Sequence, residues 1–496
     1  MRLTRFTSVC GALFCATAIS TASAQLPMEV VEAVTTATDG SDGIDSLVGL
    51  IQTGSAEDVR EQRALDLSEF ISRNFSSVVV NDAQSNPLQP DVRYRGFVAS
   101  PLLGLPQGIA VYQDGVRVNE PFGDTVNWAL LPTLAVDTVH FVPGSSPLFG
   151  LNSLGGALSI RTKSGLTHSG TRLSVQVGSN SRSEVLAETG GAVSDRTAYY
   201  LAGTYLEDDG WRDFSPSRLS SVYAKLTHTL DDASVDVSLT SVDTNLIGNG
   251  AAPAELLAMD PTAIFTRPDQ TRNDLDQLVV EMSRDLENGV AVTGSAYLRR
   301  SDVATLNGDD SDFEACEDNP ALVCLEDDGA APVRDTNGRP ISALPELLGA
   351  TVNNTNTEQD GRGFSVQIAH STAGASRRGR WLAGVSFDDA DIDFSGFTEL
   401  GTLDPTRRAV AGGSAVTDSL TSLYTRSRNT GVYLAYTGSP AEAVSLSVSG
   451  RYNRTDVTLR DRLGTALNGD HNFSKFNPSL GVAWQAAEDL TLFASI

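Results

Sequence analysis

The sequence predicts a small mixed α+β domain followed by an antiparallel transmembrane β-barrel. Three observations predict it. From about Gly170 onward, apolar residues recur with period two in about thirteen segments. Each segment is near the roughly 9–11 residues of a tilted membrane-spanning strand. The connections between them sort by parity, short turns alternating with long loops, as in outer-membrane barrels; a soluble sandwich has no reason to sort its loops this way.

Taken in order, Arg2 and Arg5 precede an apolar stretch from about Val9 to Ile19, and Ala22-Ser23-Ala24 ends it before Gln25. Charged start, short apolar middle and small-residue end read as a secretory signal peptide over residues 1–24. Residues 25–63 form a Thr/Gly/Ser/Asp-containing N-terminal segment. The small domain spans 64–165. Leu67, Phe70, Ile71 and Phe75 fall at helical spacing, with Ser68 as a cap. Val78 to Val80 and Val92 to Phe97 read as short strands. Ile109 to Val118 reads as a hairpin, because Asp114-Gly115 between apolar runs is the type I′ signal. Val136 to Val142 and Leu158 to Thr162 are two more strands, separated by an irregular run rich in turn formers.

Residues 166–496 carry the alternation. Leu173, Val175 and Val177 interleave with Arg172, Ser174 and Gln176, and Val444, Leu446 and Val448 with serines. Short connections fall at 194–195, 231–232, 285–289, 373–378, 439–442 and 486–489. Long ones fall at 206–217, 242–275, 300–360, 391–428 and 456–475. The thirteenth strand runs into Ile496 without a turn. Single-chain bacterial barrels have an even strand number and no open edge in lipid, so the sequence is expected to be a fragment.

The formal net charge is −26, against nucleic acid as a partner, which needs clustered Lys/Arg. No apolar run suits a membrane-spanning helix. Between 301 and 360 lie fourteen carboxylates and two arginines. In the middle of this loop, Cys316 and Cys324 are the only cysteines outside the leader and are expected to form a disulfide. The loop is either a recruiter of a cationic or metal-bearing ligand or a solvated external loop; its spacing fits no EF-hand. The five histidines are dispersed. No CxxC, HExxH, Walker lysine loop or nucleophile elbow is present. No enzyme, cofactor or bound metal is expected.

The segment Arg93-Tyr94-Arg95-Gly96-Phe97, the Asp114-Gly115 hairpin, Val139 to Gly150 with Gly144 and Phe149, and Gly155-Gly156-Ala157-Leu158-Ser159-Ile160-Arg161-Thr162-Lys163 form an ordered series. It resembles the plug of TonB-dependent outer-membrane receptors, departing from the usual pattern in Pro143 for Arg and Phe149 for Tyr. The resemblance implies a plug folded inside a 22-stranded barrel, a size at which the lumen must be plugged, so that about nine strands would be missing. It implies a cargo of scarce, bulky nutrients, ferric siderophores foremost, and uptake energised by TonB with ExbB–ExbD. TonB would pair with a short segment, the TonB box; the candidate is Glu29-Val30-Val31-Glu32-Ala33-Val34, the alternative an unstructured leader. Arg93, Arg95 and Arg161 are candidates for ion pairs between plug and wall, or else ordinary solvated arginines. Candidate ligand contacts at the plug apex are Leu103, Gln107, Glu120, Phe122 and Trp128. The expected setting is a monomer in outer-membrane lipid. Competing functions are a passive porin, which a separate plug argues against, and a surface ligand-binding protein without transport.

Overall fold

The computed structural model describes residues 51–82, 84–325, 331–372, 379–441, 443–487 and 490–496; the leader 1–24 and the Glu29–Val34 segment lie outside them. The N-terminal domain is built from two sheets. In the larger, the strand order is Gln52–Ser55, Val136–Pro143, Gly156–Thr162, Ile109–Gln113 and Val116–Arg117; Val78–Asn81, Asp91–Tyr94 and Phe97–Ala99 form the smaller. The helix Leu67–Asn74 buries Leu67, Phe70 and Ile71 against Val111, Trp128, Val139, Phe141 and Leu158, so its apolar spacing becomes the domain core.

Two local expectations need correction. The helix is capped by Asp66, whose carboxylate accepts from the Glu69 amide at 3.0 Å, and not by Ser68, which lies inside the first turn and donates to Asp66 at 2.7 Å. Asp66 has the extended backbone that lets a cap side chain fold back, and Ser68 does not. The strand read over 92–97 is broken at Arg95 and Gly96, with φ of 48° and 91°, into a tight hairpin. The Asp114-Gly115 turn has φ of 46° and 73°, the double left-handed geometry of a type I′ turn.

The second part is a single wall of thirteen strands in chain order, from Gly170–Val177 to Leu490–Ser495, each antiparallel to the next; Ala409–Ala415 pairs off this path with Gly379–Leu403. Several strands are far longer than their apolar alternation. Gly379–Leu403 has 25 residues and Ala350–Thr372 has 23, so much of the connections read at 300–360 and 391–428 is ladder rather than loop. The physical reason is that alternation marks only the height at which the outer face is apolar. Beyond it both faces are polar, and backbone pairing continues with no hydrophobic signal.

On the outer face Val366, Val385, Val432 and Tyr452 stand in one cross-strand row, all exposed. Leu239, Leu278 and Leu298 form another. The Trp381 and Tyr436 rings pack at a tilt near one rim, 4.6 Å apart, and Phe364 and Phe387 do so further up the strands, 5.8 Å apart. An outward apolar band flanked by aromatic residues is the pattern of outer-membrane-type barrels. No helix among the described residues is long and apolar enough to cross a membrane.

Between strands Val290–Asp309 and Ala350–Thr372 a small cap folds on its own core. Val323, Val333, Ile341 and Leu347 pack against Leu400 and Val416, and Cys316 is joined to Cys324 by a disulfide. The N-terminal domain touches the inward face of strands from Thr197–Asp208 round to Val444–Asp461, so it sits on the concave side of the wall.

Candidate functional site

The interface between the inner domain and the wall is polar, and its residues come from distant parts of the chain. At its lower part, Asp114 is fully buried at the tip of the type I′ hairpin. It accepts from the Thr162 amide at 3.0 Å and hydroxyl at 2.5 Å, and Lys225 of the wall lies 3.6 Å away. Lys225 also donates to the Thr162 carbonyl at 3.4 Å, and the Thr162 and Tyr223 hydroxyls lie 2.6 Å apart. Burial works against the Asp114 charge. The Lys225 and Arg161 cations and the Thr162 bonds outweigh it and hold the carboxyl below its usual range.

Beside this cluster Arg161 meets Glu281 of the wall at 3.5 Å, and Lys163 meets Glu188 at 2.9 Å. Arg161 and Lys163 leave the same strand, Gly156–Thr162 and its extension, whose start requires Gly156. There φ is +148°, and a Cβ would meet the Val142 carbonyl oxygen at 2.5 Å. Gly155 packs directly behind Phe97, while Gly144 and Gly150 bracket the short turn that carries Phe149. Phe149 is buried, its carbonyl accepting from the Tyr112 hydroxyl.

Higher up, Glu120 is buried against the wall with both carboxylate oxygens bonded: to Arg299 at 2.6 Å, to Ser301 at 2.9 Å and to Gln359 at 3.1 Å. Ser301 and Gln359 face each other in register on neighbouring strands. Gln359 in turn accepts from the Phe122 amide at 3.0 Å, and the Phe122 ring packs 5.1 Å from Phe394.

These placements divide the expected residues. Of the three arginines, Arg161 reaches the wall. Arg93 instead pairs with Asp91 of its own strand at 3.2 Å, and Arg95 lies over the Tyr94 ring on the hairpin turn, both exposed. The local turn points them away from the partner sheet. Of the apex residues, Leu103 is exposed, while Gln107 ties its loop down by accepting from the Ser100 amide at 2.8 Å. Trp128 belongs to the domain core, 1% exposed, its indole donating to the Ala99 carbonyl at 3.1 Å. Glu120 holds the wall. Neither is free to touch a ligand. Lys225, Glu281, Arg299 and Gln359 carried no sequence signal beyond being polar residues at inward positions of apolar-alternating strands. That inward polarity is the cue that could have found them.

Two of the spaces along the remaining interface are partly open clefts. One, of about 100 Å³, lies between the inner domain's Tyr112, Gly115 and Arg117 and the wall's Ser295, Asp388 and Arg451. The other, of about 580 Å³, lies lower, beside His140, Arg161, Lys225 and Asp236. His140 is largely desolvated, and burial with the nearby Arg161 cation pushes its pKa down to about 4. Among the described residues no group of His, Cys, Asp and Glu is arranged to hold a metal ion.

The comparisons with known proteins fit this architecture. Residues 44–157 match the model of the TonB-dependent receptor plug domain, and residues 210–496, more than half of the chain, match that of the TonB-dependent receptor-like β-barrel. No curated protein sequence matches. Among solved structures, the ferric citrate transporter FecA in its unliganded form superposes with a TM-score of 0.68 at 12% identity, over 90% of this chain and 62% of that one. The ferric-catecholate import receptor Fiu from E. coli K12 gives 0.67 at 14% identity, over 90% and 69%. BauA, the ferric preacinetobactin receptor from Acinetobacter baumannii, gives 0.66 at 13%, over 90% and 63%. The chain thus spans about 62% of the length of FecA. With a plug domain seated on the inner face of a matching receptor barrel, this chain belongs to the TonB-dependent receptor family, a family of receptors and not of enzymes.

Proposed function

We propose that the protein is an outer-membrane receptor for active import of a scarce, bulky nutrient, a ferric siderophore foremost. The observation that carries this reading is the plug bonded across the barrel lumen by four separate ion pairs, Asp114–Lys225, Arg161–Glu281, Lys163–Glu188 and Glu120–Arg299. A passive pore has no use for a plug held in this way, and a device that must stay shut until driven does. The structural relatives titled as ferric citrate, ferric-catecholate and ferric preacinetobactin receptors support the choice of iron chelates. Energy would come from TonB with ExbB–ExbD, acting on the segment ahead of the plug, for which Glu29–Val34 is the candidate box. The barrel would lie in outer-membrane lipid as a monomer, with its exposed apolar rows at hydrocarbon depth.

The test is accumulation of radio-iron from a panel of ferric siderophores by iron-starved cells that carry the full-length protein as their sole receptor. The reading expects uptake that vanishes without TonB and after deletion of residues 29–34. Uptake that persists without TonB would favour a passive channel, and binding without accumulation would favour a surface ligand-binding protein.

A further inference from the structure

Three neighbouring strands share one pattern on their outward face. Counting upward from the rim of short turns, Gly379–Leu403 presents Trp381, Ala383, Val385 and Phe387 before its first charge, Asp389. Ala350–Thr372 presents Ile368, Val366 and Phe364 before Arg362, and Thr421–Ala441 presents Tyr436, Leu434, Val432 and Thr430 before Arg428. Arg362, Asp389 and Arg428 stand in register across the three strands. Asp389 is ten positions beyond Gly379, about 33 Å along the strand and about 25 Å along the barrel axis at a tilt of about 40°. That is the height of the apolar band of an outer-membrane barrel, so these charges lie at headgroup level on the side of the long connections.

On this outward surface Asp389 is only 4% exposed, because three guanidiniums cover it. Arg362 donates to it through Nε and Nη2 at 3.1 and 2.6 Å, Arg426 through the same two atoms at 2.9 and 2.7 Å, and Arg428 through Nε at 3.0 Å. One carboxylate thus aligns three forks. The Nη1 group of each arginine, and Nη2 of Arg428, have no partner among the described residues. With Arg454 in the adjoining row, four arginines face Asp389, Asp391 and Asp456, an excess of one cation, and Arg300 offsets Asp360 beside them. One row higher Asp302, Glu358 and Asp393 stand in register, with Arg462 against Asp393, and repel an anion arriving from solution. We infer that the Arg362–Arg426–Arg428 cluster binds the phosphate of a lipid headgroup, with Asp389 as the template that holds the forks. Guanidinium forks match phosphate oxygens in pairs, and lipid phosphate is the anion that this depth supplies. The inference rests on the outer-membrane setting of the reading above and not on its import step, so each can fail alone.

The experiment measures retention of a diphosphorylated, acylated glucosamine disaccharide by the full-length protein in neutral detergent, read by native mass spectrometry. The parent is expected to retain this lipid and to release the same lipid stripped of its phosphates. Arg362→Gln and Arg428→Gln are each expected to weaken retention about tenfold, the worth of one charge-assisted hydrogen bond. Each leaves Asp389 with two guanidiniums, and the electrophoretic mobility of unheated samples checks that the barrel is folded. Arg428→Lys keeps the charge, loses the fork and is expected to weaken retention as well. Arg460→Gln, which removes a pair with Asp470 higher on the same face, is expected to change nothing. Retention that ignores the phosphates, or that is unaltered in the folded Arg362 and Arg428 variants, would overturn the assignment. So would a parent that retains no lipid. Displacement by equimolar inorganic phosphate would reveal a site for a soluble anion and overturn the lipid assignment in the same way.

Discussion

Replacing Lys225 by Met tests the physical basis of the plug–wall interface. The side chains of Lys225 and Asp114 are 4% and 1% exposed, so the substitution leaves a carboxylate without its nearest cation and without water. Removing one partner of a buried pair costs about 3–5 kcal/mol. Here the lower end, about 3 kcal/mol, is expected, because the Thr162 amide and hydroxyl still bond to Asp114. The assay is native-state amide exchange of the hairpin Ile109–Arg117 in the full-length protein, with Asp114→Asn and the double variant completing a double-mutant cycle. The double variant is expected to recover most of the loss, since it strands no charge. The acid dependence follows from the lowered Asp114 pKa. A carboxyl that is more acidic in the folded state contributes stability fully above its unfolded value near 4, and loses it as the pH falls through the folded value. The parent hairpin should therefore keep a flat protection profile from neutral pH down to the carboxylate range, and the Lys225→Met variant should not. A loss below about 1 kcal/mol for Lys225→Met, the range of an exposed pair, would refute the reasoning.

Four further outcomes are expected. Burial pushes the Asp66 carboxyl up to about 6 although it caps a helix. The folded plug therefore binds a proton that the unfolded chain has released, and its stability falls as pH rises from about 4 to about 6 and is level above. Asp66→Asn keeps the cap and removes that penalty, so urea titrations of the plug at pH 8 should show a gain of up to about 3 kcal/mol. Glu120→Gln should release the apex loop, seen as faster amide exchange at 119–126 with the core helix unchanged, because it strands Arg299, whose side chain is 7% exposed. Cys316→Ser with Cys324→Ser should destabilise the outer cap by about 2–3 kcal/mol, the closure entropy of so short a loop, read as earlier protease cleavage between 310 and 348. On the outer face, Val432→Lys should cost about 2–4 kcal/mol of folding stability in lipid if that row lies at mid-bilayer, checked by urea titration in vesicles.

What was legible in the sequence was what short-range physics sets. Period two at Leu173, Val175 and Val177 follows from the geometry of a strand with one apolar face, and the parity of the turns follows from chain direction. The Asp114-Gly115 turn followed from the one backbone conformation those residues favour. These features specify about thirteen wall strands and the order of the plug motifs. Where apolar alternation stopped, so did legibility, and the polar upper halves of the strands read as loops.

What only the tertiary structure decided was which polar residues meet. Glu120 and Arg299 are 179 positions apart, and Arg161 and Glu281 are 120 apart. Each pair exists because strand register and plug seating bring the two ends to one height on one side of the lumen. The same seating turned Glu120 onto the wall, while the plug's own packing buried Trp128 and a local turn left Arg93 and Arg95 exposed. Periodicity assigns a residue to a face, but the partner across a lumen depends on the summed registers of every strand between them, and no local pattern carries that sum.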